Sequence, residues 1–131
     1  MKSMTSVMTV LMVGGFLILS PSPARADSDT VMQVITIDTH GNTAAYLASV
    51  KAVLNRIEQL APESSARVWE ASISGNTVGT VYVVVEYPSL ASFAAAAEKY
   101  VADEAYTKAV AALVATGRTV ESVAVLREVT P

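Results

Sequence analysis

The chain predicts an α+β fold: a βαββαβ sandwich in which a four-stranded antiparallel sheet carries its helices on one face. Three observations predict it. Runs rich in β-branched residues recur at 31–38, 67–74, 78–87 and 120–129. Helically spaced apolar stripes follow the first and third runs but not the second. Gly75-Asn76, between the second and third runs, is a hairpin signal.

The first 26 residues are set apart from that pattern. Lys2 gives a positive start, and the apolar run 7–19 is interrupted only by Thr9, Gly14 and Gly15. Ser20-Pro21-Ser22-Pro23 breaks a helix, and Ala24-Arg25-Ala26 has the small-x-small form of a cleavage site. This is the layout of a secretory signal peptide over 1–26, so the expected location is periplasmic or secreted. The run of 13 residues falls short of the ~18–20 that span a bilayer. An uncleaved N-terminal anchor is the alternative; after cleavage no stable membrane anchor is expected, and no cysteine is present for lipid attachment.

The remainder, 27–131, is 105 residues and is expected to form one domain with one core. Without Lys2 and Arg25, seven basic residues stand against twelve acidic ones, a formal charge of −5. That balance argues against nucleic acid as a partner, because binding it needs clustered Lys and Arg. With no cysteine there is neither disulfide nor thiol chemistry. Stability must come from packing, and small exported domains of this kind often add oligomerisation.

Each element has its own signal. The first strand is Val31-Met32-Gln33-Val34-Ile35-Thr36-Ile37-Asp38, followed by a turn and cap at Gly41-Asn42-Thr43. From Ala44, the residues Tyr46, Leu47, Val50, Val53, Leu54, Ile57 and Leu60 form one helical stripe, which Ala61-Pro62 ends. Strands over 67–74 and 78–87 flank the hairpin turn. Ser89 caps a second helix from Leu90 to about Val101, rich in alanine. Asp103-Glu104 opens a further helical stretch through Tyr106, Val110 and Leu113; acidic residues suit a helix start. Gly117-Arg118 reads as its stop, and the last strand covers 120–129.

This order corresponds to a ferredoxin-like sandwich. Its helices cover only one sheet face, yet the first and third strands are apolar on both, as in Val34 with Ile35 and Val84 with Val85. A second apolar face needs a cover, and a second copy related by a two-fold axis supplies one. A homodimer with its two sheets face to face is therefore expected.

The ending Glu86-Tyr87-Pro88-Ser89-Leu90, with Phe93 four residues after Ser89, resembles the dimeric α/β-barrel superfamily, whose best-known branch is the antibiotic biosynthesis monooxygenase-like domain. A small stress-associated branch has a similar E-[F/Y]-P-S-L ending. The resemblance extends over 31–130. The superfamily includes cofactor-free quinone-forming monooxygenases, haem-degrading enzymes, muconolactone isomerases and domains without known activity. The monooxygenase-like branch usually has Trp where this chain has Tyr87. The haem-degrading branch uses Asn on the first strand and His on the second helix; this chain offers Gln33 and, over 90–101, no histidine, which argues against haem degradation. The resemblance implies no cofactor.

Few residues point to chemistry. His40 is the only histidine and could act as a general base, or be an exposed loop residue. One histidine without cysteine or a carboxylate cluster gives no metal ligand set. A two-residue Gly75-Asn76 turn pairs Trp69 with Tyr82, Arg67 with Val84 and Ala71 with Thr80 on one side; Val68, Val81, Val83 and Val85 face the helices. Arg67, Trp69, Tyr82 and Glu86 would then line the space between the two sheets, either as an aromatic-walled pocket or as the filling of a dimer interface. A three-residue turn would slip this register by one, and the two-residue turn has the awkward effect of placing Glu70 on the helix side. Tyr46, Tyr100 and Tyr106 could close a pocket mouth, or simply pack their rings with hydroxyls wet. Phosphate-loop, dinucleotide and serine-hydrolase signatures are missing.

Three function classes stay open. The leading one is an exported homodimer binding a small apolar or aromatic molecule between sheet and helices, with Arg67, Trp69, Tyr82 and Tyr87 as ligand-binding candidates. The second is a cofactor-independent monooxygenase-like enzyme acting on aromatic or quinol substrates, with His40 or Glu86 accepting a proton and Tyr87 or Trp69 orienting the substrate. The third is a structural dimer without a pocket.

Overall fold

In the computed structural model, residues 30–73, 75 and 78–129 are described. The signal peptide expected over 1–26 lies outside the described residues. The elements are β1 (Val31–Asp38), α1 (Thr43–Leu60), β2 (Ser65–Glu70), β3 (Val81–Tyr87), α2 (Leu90–Ala102), α3 (Glu104–Ala115) and β4 (Thr119–Arg127). Four strands form one sheet in the order β2-β3-β1-β4, every neighbouring pair antiparallel. With three helices this is an α+β fold consistent with the ferredoxin-like arrangement.

The β2–β3 register keeps the expected pairing: Trp69 faces Tyr82 and Arg67 faces Val84. The hairpin itself differs from the sequence reading. β2 begins at Ser65 and ends at Glu70, and β3 begins only at Val81. The turn residue Asn76 lies outside the described residues. Ala71 N–H donates to Thr80 O at 2.9 Å while Gly79 N–H donates to Ala71 O at 2.9 Å, so two residues oppose one. Gly79 has φ +89°, the left-handed conformation of a glycine bulge.

A second irregularity sits in β4. Ile37 faces Val120 but Thr36 faces Ser122, so Glu121 is an extra residue. The bulge turns Val120, Val123 and Val125 toward the same side as Ile37, Ile35 and Gln33, and leaves Ala124 and Leu126 on the other.

The core lies between sheet and helices. Val31 and Ile37 of β1 and Val81, Val83, Val85 and Tyr87 of β3 are buried there against Tyr46, Val50, Val53 and Ile57 of α1 and Leu90, Phe93, Ala96 and Tyr100 of α2. Leu47, expected in the α1 stripe, is at its edge and exposed. α1 stops at Ala61, whose N–H donates to Ile57 O, and Pro62 cannot continue it. Ser89 caps α2 as the sequence predicts: its hydroxyl accepts from Ser92 N–H at 3.0 Å.

Asp103 separates α2 from α3. Its backbone is extended and its carboxylate accepts from Tyr106 N–H at 2.7 Å, an N-cap. The same carboxylate holds Arg56 of α1 by two bonds of 2.8 and 2.6 Å. This Arg56 pairing keeps the Asp103 carboxyl down at about 2, with the Tyr106 N–H adding to it. One side chain thus breaks the helix and ties the start of α3 to α1. At the other end Gly117, φ +83°, closes α3 with a bond from its N–H to Val114 O. No helix among the described residues is long and apolar enough to cross a membrane.

Candidate functional site

A cavity of about 340 Å³ opens between the sheet and helices α1 and α3. Its floor is the helix side of β1, β3 and β4: Gln33, Ile35, Ile37, Val83, Val85, Val120 and Val123. Its roof is Tyr46, Val50, Val53 and Ile57 of α1 with Val110, Leu113 and Val114 of α3. Tyr100, Tyr106, Arg118 and Thr119 complete it. The β4 bulge contributes directly, since it brings both Val120 and Val123 to this face. Volume and lining are those of a small-molecule pocket: apolar walls with a few polar groups.

The polar groups are placed by identifiable local features. Gln33 occupies an inward position of β1 and is buried, with no side-chain hydrogen bond among the described residues. Tyr100 and Tyr106 flank the α2–α3 break and stack at 4.8 Å and 14°. The Tyr100 hydroxyl lies 2.8 Å from that of Tyr87, a buried pair. Burial raises the pKa values of Tyr46, Tyr87, Tyr100 and Tyr106 above the ordinary phenol value, so all four are neutral donors. Arg118 follows Gly117, whose left-handed backbone turns the chain from α3 into β4 and directs the guanidinium inward. Its Nε is sealed from solvent without a hydrogen-bond partner. Burial lowers its pKa, opposed by the Tyr46 and Tyr106 hydroxyls.

Of the residues singled out in the sequence, Tyr46, Tyr100 and Tyr106 line the cavity, and the others lie elsewhere. Arg67, Trp69, Tyr82 and Glu86 share the sheet face turned away from the helices, and Arg67 Nη2 meets Glu86 Oε2 at 3.1 Å. Trp69 is 57 % exposed there. None of the four lines the cavity. Glu70, although on the helix side by register, ends the edge strand and is exposed, which removes the apparent conflict.

Tyr87 is buried in the core, its ring edge-on to Phe93 at 5.3 Å, and reaches the cavity only through Tyr100. His40 stands at the end of β1 with φ +52°, a conformation histidine tolerates better than most residues. Its N–H donates to Asp38 Oδ1 at 2.8 Å and its Nε2 lies 2.7 Å from Thr119 Oγ1, which ties the end of β1 to the start of β4. His40 and Glu86 sit near opposite ends of the sheet, since Glu86 pairs with Met32 at the far end of β1.

Arg118 and Gln33 were not legible as site residues, whereas Tyr46, Tyr100 and Tyr106 were read as possible closers of a pocket mouth. Among the described residues, no Asp, Glu or His lines the cavity. The arrangement can hold an apolar body, donate hydrogen bonds from tyrosine hydroxyls and the Gln33 amide, and present one positive charge. Comparison of the chain with protein-family models, curated proteins and solved structures found no match.

Proposed function

We propose that this is an exported homodimeric protein that binds a small apolar or aromatic molecule in the cavity between its sheet and its helices. One observation carries the binding reading: about 340 Å³ of apolar-walled space opens between the sheet and helices α1 and α3. A void of that size in a domain of this length weakens the core, so retaining it favours a ligand over a purely structural role.

The open sheet face supports the dimer. Met32, Val34, Tyr82 and Val84 of the central strands share that face with Trp69 and Leu126, which are 57 % and 51 % exposed. Exposed apolar side chains on a sheet face that no helix covers favour an interaction surface, and an antiparallel sheet packs readily on its two-fold copy. The N-terminal pattern over 1–26 supports export.

Native mass spectrometry of the protein from its own exported fraction tests this function. The expected result is two chains beginning near Asp27, taking up one quinone, phenol or naphthalene-sized molecule per chain. A monomer would overturn the dimer, and failure to take up any of these compounds would overturn the binding reading.

A further inference from the structure

We propose that the bound molecule is a monocarboxylic acid with a one- or two-ring apolar body, and that its carboxylate pairs with Arg118; the inference rests on the cavity-binding reading above. Arg118 is the observation that a purely apolar ligand leaves unexplained. Its Nε is closed to solvent and has no hydrogen-bond partner. Elsewhere Arg56 meets Asp103, Arg67 meets Glu86 and Lys108 meets Glu104, but Arg118 forms no ion pair among the described residues. Arg118 is half-buried with its Nε sealed, and a cation partly withdrawn from water without a counter-charge beside it is favoured where a ligand supplies that charge.

The surroundings say what that something is. Among the described residues the cavity walls hold no carboxylate, and the groups that act electrostatically on Arg118 are the hydroxyls of Tyr46 and Tyr106. Burial keeps both hydroxyls protonated, so they cannot neutralise the guanidinium but can donate to an anion beside it. A planar guanidinium matches a carboxylate bidentately. A single cation among valines and isoleucines fits a monoanion; a phosphate would leave further charge unmatched. An apolar cavity of ~150 Å³ holds one benzene ring, and the volume here is about 340 Å³, room for a body of up to two rings. Gln33 lies further along β1 from Asp38, the partner of Thr119, so the ring system would extend from Arg118 toward the Gln33 amide.

Isothermal titration of the mature dimer with naphthoate and with its neutral isostere naphthamide at neutral pH tests the assignment. Naphthoate should bind at least tenfold more tightly. Arg118→Met should bring the ratio of naphthoate to naphthamide affinity to about one, and Arg118→Lys should retain part of the preference. Far-UV circular dichroism verifies that each variant is folded, and should Arg118→Met not fold, the Arg118→Lys preference decides. Equal binding of acid and amide by the unaltered protein, or an acid preference that survives Arg118→Met, would overturn the carboxylate assignment and leave the cavity reading standing. No binding of either compound would overturn both.

Discussion

The Tyr87–Tyr100 hydroxyl pair joins the core to the cavity wall, and its removal has an asymmetric consequence. Tyr87 is 1 % and Tyr100 6 % exposed, with their oxygens 2.8 Å apart. Tyr87 has no other hydroxyl partner among the described residues. Tyr100 has a second polar neighbour in Ser64, whose own hydroxyl donates to Ala61 O. Tyr87→Phe therefore removes one hydrogen bond and leaves Tyr100 near Ser64, a loss of ~0.5–1.5 kcal/mol. Tyr100→Phe strands a buried hydroxyl on Tyr87 and should cost ~1–3 kcal/mol. The double variant replaces both partners and should fall close to Tyr87→Phe alone, so the two changes are strongly non-additive. For a domain of about 100 residues each kcal/mol corresponds to ~4–8 °C in Tm. Thermal unfolding of the three variants by circular dichroism gives the cycle. Equal single effects that add in the double variant would refute the pairing.

Other perturbations read other parts of the fold. The Asp103 carboxyl is held at about 2, below its ordinary 3.8, chiefly by Arg56. Because the folded value is the lower one, its contribution is present above the ordinary value and is lost as pH falls through about 2. Asp103→Asn should lower Tm at neutral pH and flatten the further loss between roughly pH 4 and 2, followed by calorimetry; an unchanged acid limb would show that other carboxylates set it. Arg118→Met should raise the Tm of the ligand-free protein by removing an uncompensated charge, and a fall would assign the guanidinium a structural role. Trp69 emission should shift to the blue as chains associate and stay unmoved when the cavity fills; Leu126→Glu should give monomers in sedimentation velocity, and a persisting dimer would place the interface on another surface.

The architecture was legible where the pattern is local. The Ser89 cap, the Asp103 break and the Gly117 stop each act within a few residues, and the structure places them as the sequence predicts; the β-branched runs give the four strands, with β2 and β3 at other bounds. The β2–β3 register was legible as well. Trp69 stays opposite Tyr82 even though β2 and β3 stop short of the expected turn. The β4 bulge was not legible, because strict alternation in Val120-Glu121-Ser122-Val123 would put Val120 and Val123 on opposite faces. Those two valines help form the cavity, so missing the bulge hides part of the site. Arg118 was hidden for a related reason. A basic residue after a glycine reads as a helix stop in water, and only the left-handed Gly117 backbone together with the positions of Tyr46 and Tyr106 sends its side chain inward. Trp69 drew attention as the sole tryptophan, although rarity carries no information about which sheet face has a cavity.

The central claim is that ligand occupies the space between the sheet and the helices, and methyl-labelled NMR of the protein with naphthoate tests it most directly. Nuclear Overhauser contacts are predicted from the naphthoate ring to methyl groups of Val50, Val53, Val110 and Val123, which line the cavity, with none to Trp69 or Tyr82. Contacts to Trp69 and Tyr82 without contacts to those valines would place the ligand between the two sheets and contradict the claim.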